Sequence, residues 1–250
     1  MIEVGWTPAR AETALVYTEP ESLFSDVYKD IDAAFRFCPA FTSYLKNWYI
    51  IRSPLHIKFA YKKVSNTDAK ITINDENITS QYVVFDERKH EWSGEYKAED
   101  TPDGKFNGRL KLNKNNNPLI SLTFPQLFVT DEKDLRLEQV SPFLHMHELS
   151  YFKYLRSICG AFNIYSWVRP LDFAYEIVTD NAVIDIKRGD PLCYVRFVTD
   201  KNVSIKQIPL TTQLEDYAKA TTTLKSLRPG LPLQKMYDLF LKIRRPKLLS

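Results

Sequence analysis

HIKFAYK, residues His56 to Lys62, sets apolar side chains at Ile57, Phe59 and Tyr61 and polar or small ones between them. That period of two belongs to a half-buried β-strand, whose successive side chains leave opposite faces of the pleat. The same rhythm runs outward in both directions. Downstream, Lys70–Asn74 (KITIN) and Gln81–Phe85 (QYVVF) repeat it after polar turns. Leu119–Phe124, Leu127–Thr130 and Leu135–Val140 follow, with Pro125 marking an edge or kink between the first two. Further strands are predicted at Phe162–Val168, Phe173–Val178, Ala182–Lys187, Leu192–Thr199 and Val203–Ile208. Asp180-Asn181 and Arg188-Gly189-Asp190-Pro191 supply the turn chemistry between neighbours. Upstream, Trp48–Arg52 reads as a buried strand that Ser53-Pro54 interrupts, and Ile2–Trp6 and Thr13–Tyr17 as short extended pieces.

About ten or eleven strands roughly ten residues apart predict a mainly β fold, an antiparallel sandwich or jelly roll spanning residues 1–210. Helical spacing enters in two places. Near the start, Phe24, Val27, Tyr28 and Ile31 suggest one short helix, and Pro39 can open another through Leu45. At the end, Leu214, Tyr217, Ala218, Thr221 and Leu224 mark one amphipathic helix, and Leu233, Met236, Tyr237, Phe240 and Leu241 a second. Residues 211–250 therefore read as a helical appendage packed on the β domain or on a partner. The polar, glycine-containing stretch from Glu87 to Asn117 reads as a long mobile excursion.

Composition narrows the class. The chain has 250 residues, 44% hydrophobic, with 34 Lys+Arg against 31 Asp+Glu and a net charge of +3. This is too apolar for intrinsic disorder. Only 7 Gly accompany 14 Pro, which argues against the glycine-rich phosphate loops of nucleotide-binding folds. No apolar run approaches the roughly 18 residues needed to cross a bilayer, so no membrane partner is expected. MIEVGWTPARAE shows no secretion signal, so a soluble intracellular product is expected. Cys38, Cys159 and Cys193 have no zinc or disulfide spacing and are expected as reduced, buried thiols. A net charge this small gives no reason to expect a nucleic-acid partner, and the basic tail at Lys242, Arg244, Arg245 and Lys247 suits a helix C-terminus.

One constellation could carry chemistry. In His145-Met146-His147-Glu148, two histidines at i and i+2 on a strand would share a face, and Glu148 would complete a metal set. That reading implies a cupin-like or 2-oxoglutarate-oxygenase-like metalloenzyme. Against it, no histidine follows His147, so the later-strand ligand of such sites would have to be a carboxylate such as Asp172 or Asp190. No serine nucleophile elbow or cysteine-protease context is present, and Arg188-Gly189-Asp190 reads as a hairpin turn. Neither catalysis nor a cofactor is expected.

Two phrases carry a resemblance. Phe37-Cys38-Pro39-Ala40 leads to Lys46-Asn47-Trp48-Tyr49-Ile50 and Ser53-Pro54. Trp167-Val168-Arg169-Pro170-Leu171 is followed by Arg188-Gly189-Asp190-Pro191-Leu192 and Tyr194-Val195-Arg196-Phe197. Over about residues 35–60 and 160–210 the chain resembles a protein family of tailed bacteriophages, notably large myoviruses of marine cyanobacteria, with scattered bacterial relatives. The resemblance carries over no catalytic residues. It implies a structural or protein-interaction module such as a capsid, neck or tail accessory, with other protein subunits as partners, in an oligomer. Tyr237, Phe240, Arg244 and Arg245 are the expected contact residues of the C-terminal helices.

Overall fold

The computed structural model describes residues 1–8, 18–30, 37–54, 56–63, 68–74, 82–86, 91–96, 105–111, 117, 119–123, 126–227 and 230–242. In chain order, Ile2–Pro8 (β1) and Glu21–Ser22 (β2) precede helices Leu23–Asp30 (α1) and Pro39–Tyr44 (α2). Trp48–Arg52 (β3), Ile57–Lys63 (β4), Asp68–Asn74 (β5), Tyr82–Asp86 (β6), Glu91–Tyr96 (β7) and Lys105–Lys111 (β8) come next. Then follow Leu119–Thr123 (β9), Gln126–Val129 (β10), Arg136–Val140 (β11), a 3-10 turn at Ser150–Lys153, Leu155–Ile158 (β12) and Gly160–Asn163 (β13). Asp172–Ile177 (β14), Asn181–Ile186 (β15), Pro191–Val198 (β16), Val203–Gln207 (β17) and helices Thr212–Leu227 (α3) and Leu233–Lys242 (α4) complete it.

The fold is mainly β, as the alternation predicts. The strands fall into four sheets, ordered β10-β1-β17, β13-β11-β16-β3-β2, β12-β14-β9-β6-β7 and β15-β4-β5-β8. Pairing is antiparallel throughout except between β1 and β17. A shared core takes Trp6 from β1, Phe59 from β4, Tyr175 from β14, Ile184 from β15 and Phe197 from β16. In β16, PLCYVRFV is buried at nearly every position, so it forms the centre of its sheet, between β11 and β3. Tyr151 and Tyr175 donate their buried hydroxyls to the carbonyls of Pro191 and Leu192, anchoring the strand where its register shifts. Burial pushes both phenols well above the ordinary tyrosine range.

The turn after α2 fixes the next strand. Asn47 takes a left-handed φ of 63°, which asparagine tolerates better than most residues. Its side-chain amide donates to the carbonyls of Thr199 and Lys201, and its Oδ1 accepts the N–H of Val203. Tyr49 OH donates to the Val203 carbonyl, and Lys46 Nζ to that of Asp200. The Lys-Asn-Trp-Tyr phrase thus clasps the β16–β17 turn. At the C-terminal end, Thr211 Oγ1 accepts the N–H of Leu214 at the start of α3. The α3 stripe of Leu214, Tyr217 and Ala218 packs on Leu127, Val129 and Val168, so this helix docks on the β domain.

Three expectations are corrected. Within the Glu87–Asn117 stretch Glu91–Tyr96 and Lys105–Lys111 form β7 and β8, which pair with β6 and β5, and residues 87–90, 97–104 and 112–116 lie outside the described residues; many charges and glycines hid the alternation of Phe106, Gly108 and Leu110. The strand expected over Phe162–Val168 ends at Asn163, whose Oδ1 accepts the N–H groups of Tyr165 and Ser166 and turns the chain. Finally, Phe143–Glu148 forms successive tight turns, not a strand. The expected strand at Thr13–Tyr17 lies outside the described residues.

Candidate functional site

The strongest convergence of reactive side chains joins α1, β3, the turns before Leu149, and β16. Arg52 on β3 bonds Asp26 Oδ1 through Nη2 at 2.6 Å and Glu21 Oε2 through Nε at 2.9 Å. Its remaining Nη1 donates to the Gly189 carbonyl at 3.0 Å. The other oxygen of Asp26 lies 3.1 Å from His145 Nε2, and His145 Nδ1 meets the Tyr194 hydroxyl. Each member is held by the next, from Glu21 to Tyr194.

The protonation pattern follows from that order. Tyr194 is fully buried, and desolvation pushes its phenol well above the ordinary range. It therefore stays protonated, and the His145 ring spans the Tyr194 hydroxyl through Nδ1 and the Asp26 carboxylate through Nε2. Both ring nitrogens are engaged within the protein, by Tyr194 and by Asp26. A buried, neutral phenol is equally unsuited to nucleophilic attack. What the arrangement does is mechanical: Asp26 pins α1 to β3, and His145 pins the preceding turn to β16.

Beside the circuit lies an aromatic patch. Trp48, 4% exposed, packs against Phe143 and Tyr194 with near-perpendicular rings, and Arg196 lies 5.5 Å above it. Tyr44 on α2 completes the stack at 6.1 Å from Phe143. Here the packing reaches solvent: Tyr44 is 49% exposed, Phe143 37% and Met146 41%. The indole N–H of Trp48 is buried without a hydrogen-bond partner.

The two histidines of the sequence motif part company. His145 turns inward to Asp26, whereas His147 is 74% exposed and reaches only Glu148 Oε1, at 3.3 Å. An i, i+2 pair shares a face in a strand but not in tight turns. Among the described residues, no group of three His, Cys, Asp or Glu is placed to hold a metal ion. Arg244 and Arg245 lie outside the described residues, as do the side chains of Tyr237 and Phe240. Glu21, Asp26, Arg52 and Tyr194 are the members that sequence reasoning missed; the links run from Asp26 to Arg52 and from Tyr194 to His145, 26 and 49 residues apart, and farther still from Asp26 to His145, so there was no local signal.

Other candidates resolve into structure. Asp190 Oδ2 accepts the Lys187 N–H, and Gly189, at φ 91°, donates to Ser53; the Arg-Gly-Asp triplet is a tight turn, but it joins β15 and β16 of different sheets and so is not the hairpin expected. Arg169 stacks on Trp167 at 5.7 Å, and burial lowers its guanidinium to about 10. Of the cysteines only Cys193 is buried; Cys38 is half-buried, and Cys159 is exposed where the chain passes from β12 to β13. Burial pushes the Cys193 thiol up. Cys193 also lines a recess of about 10 Å³ with Ser157, Phe173 and Tyr175, room for about one water molecule. Among the described residues, no helix is long and apolar enough to cross a membrane.

No protein-family model, curated protein or solved structure matches the chain.

Proposed function

We propose that this chain is a non-catalytic structural or protein-interaction module, in its most specific form a component of a tailed-phage virion such as a capsid, neck or tail accessory. The observation that supports it best is the closed circuit from Glu21 to Tyr194. The chain's most reactive-looking groups spend their hydrogen bonds on one another and hold α1 and the His145 turn in place. The adjoining exposed pair of Tyr44 and Phe143 adds to it, because aromatic residues are enriched at protein interfaces. Other subunits of the particle would cover this patch.

Mass spectrometry of gradient-purified virus particles tests the reading. The chain is expected at a fixed copy number per particle, and a Tyr44→Ser/Phe143→Ser variant is expected to fold yet be lost from particles. Absence of the wild-type chain from particles, together with a monodisperse monomer at high concentration, would overturn it. So would stoichiometric iron or manganese that disappears in a His145→Ala/His147→Ala variant.

A further inference from the structure

The sheet β15-β4-β5-β8 separates its residues by face. Ile57, Phe59 and Tyr61 of β4 and Ile184 and Ile186 of β15 are buried in the core. On the opposite face of the same strands Lys58 and Lys62 are exposed, and Val183 is 55% exposed. Residues directly opposite one another in a sheet share a face, so the register extends this outer face across the other two strands. Lys62 stands opposite Asn181 on one side and Lys70 on the other, and Lys70 stands opposite Arg109. Three cations thus occupy one row on adjacent strands, roughly 4.8 Å apart from strand to strand. The neighbouring row is Val183, Ala60, Thr72 and Asn107.

The acids of this face stand elsewhere in the register. Asp185 is opposite Lys58 and also bonds His56, and Asp68 is opposite Lys111. Lys105, opposite Asn74, adds a further cation. This one face carries more positive charge than the +3 of the whole chain, so the remainder of the protein is net negative. Like charges directly opposite on neighbouring strands destabilise a sheet. The register therefore gathers like charge on one face of the sheet.

We propose that this face binds the sugar–phosphate backbone of double-stranded nucleic acid, without reading its sequence. Lysine, arginine, asparagine and threonine are the side chains that hold phosphate oxygens and fix a protein's position on a duplex. The face includes no aromatic residue, and single strands are held by stacking on aromatic rings. An acidic protein would meet an apolar centre with a polar rim, whereas here only Val183 and Ala60 are apolar. The inference goes beyond the interaction-module reading and involves a surface distinct from the aromatic patch. It also explains why net charge gave no hint: the acids that balance these cations lie on other parts of the chain.

Fluorescence anisotropy of a labelled mixed-sequence duplex with the full chain tests it. Binding is expected at 50 mM salt and should weaken at least about tenfold by 200 mM. A Lys62→Gln/Lys70→Gln/Arg109→Gln variant should bind at least about tenfold more weakly, with a salt slope shallower by about 2 to 3. Its melting temperature should be unchanged or higher, which separates lost binding from lost folding. A Lys201→Gln/Lys206→Gln variant, altered outside this sheet, should bind like wild type. The proposal is overturned by absence of duplex binding at 50 mM salt or by a triple variant that binds as wild type does. Tighter binding of a single strand, or equally effective competition by polyglutamate, would overturn it as well.

Discussion

Two clusters of charge sit at different ends of one design choice. Around Arg52 each nitrogen of the guanidinium has a partner, and Glu21 of β2, Asp26 of α1 and the imidazole of His145 close the set. In the row Lys62–Lys70–Arg109, cation is set against cation across neighbouring strands. The first arrangement lowers the energy of the folded chain by itself, because partly buried charges are favourable when fully hydrogen-bonded. The second gathers like charge by strand register, the arrangement on which the proposed duplex contact rests. Where reactive residue types are brought together, whether their bonding capacity is already used is the better guide to their role.

Substitutions should divide along that line. Arg52→Ala removes the partner of Glu21, Asp26 and Gly189 at once, leaves Asp26 partly buried, and should destabilise the fold by about 3 kcal/mol in urea denaturation. Asn47→Ala loses three hydrogen bonds and the residue best suited to a φ of 63°, for about 2 kcal/mol. Asn47→Gly, which keeps the backbone freedom, should recover part of that loss. Lys62→Gln should change stability by no more than about 0.5 kcal/mol, in the stabilising direction, because it relieves like-charge opposition. His147→Ala, on an exposed ring, should fall within the same small range in either direction.

Alkaline titration sharpens the contrast between buried and surface groups. Burial raises the phenols of Tyr61, to about 12, and of Tyr49, Tyr151, Tyr175 and Tyr194. In the unfolded chain these groups lose protons near pH 10. Above that pH the unfolded state binds fewer protons than the native one, so stability, fully present below pH 10, falls as pH rises. The loss contributed by Tyr61 should run from about pH 10 to about 12. Phenolate absorbance and the unfolding midpoint, followed together, should show late tyrosine ionisation coinciding with loss of the fold.

Much of the fold was legible in the sequence because its strands alternate cleanly. The strands at His56–Lys62 and Trp48–Arg52 were read from period and turn residues alone to within one residue of β4 and β3, and Pro39 marked a helix start. β8 was not legible, since Gly108 occupies an inward register position and lysine and arginine crowd its sequence. The circuit was hidden for a different reason. His145 was visible as a candidate, but its role depends on Asp26 and Tyr194, which only strand order brings to it. The cationic row was equally invisible: Lys62, Lys70 and Arg109 become neighbours through register, and single-sequence charge counting averages them away.

The claim that the circuit is structural is tested most directly by a double-mutant cycle between Asp26→Asn and His145→Gln, read by urea denaturation. The account predicts that each single variant is destabilised and that the double variant is less destabilised than the sum, with a coupling of about 1 kcal/mol. Additive changes near zero, with a function lost in the single variants whose stability is intact, would contradict it.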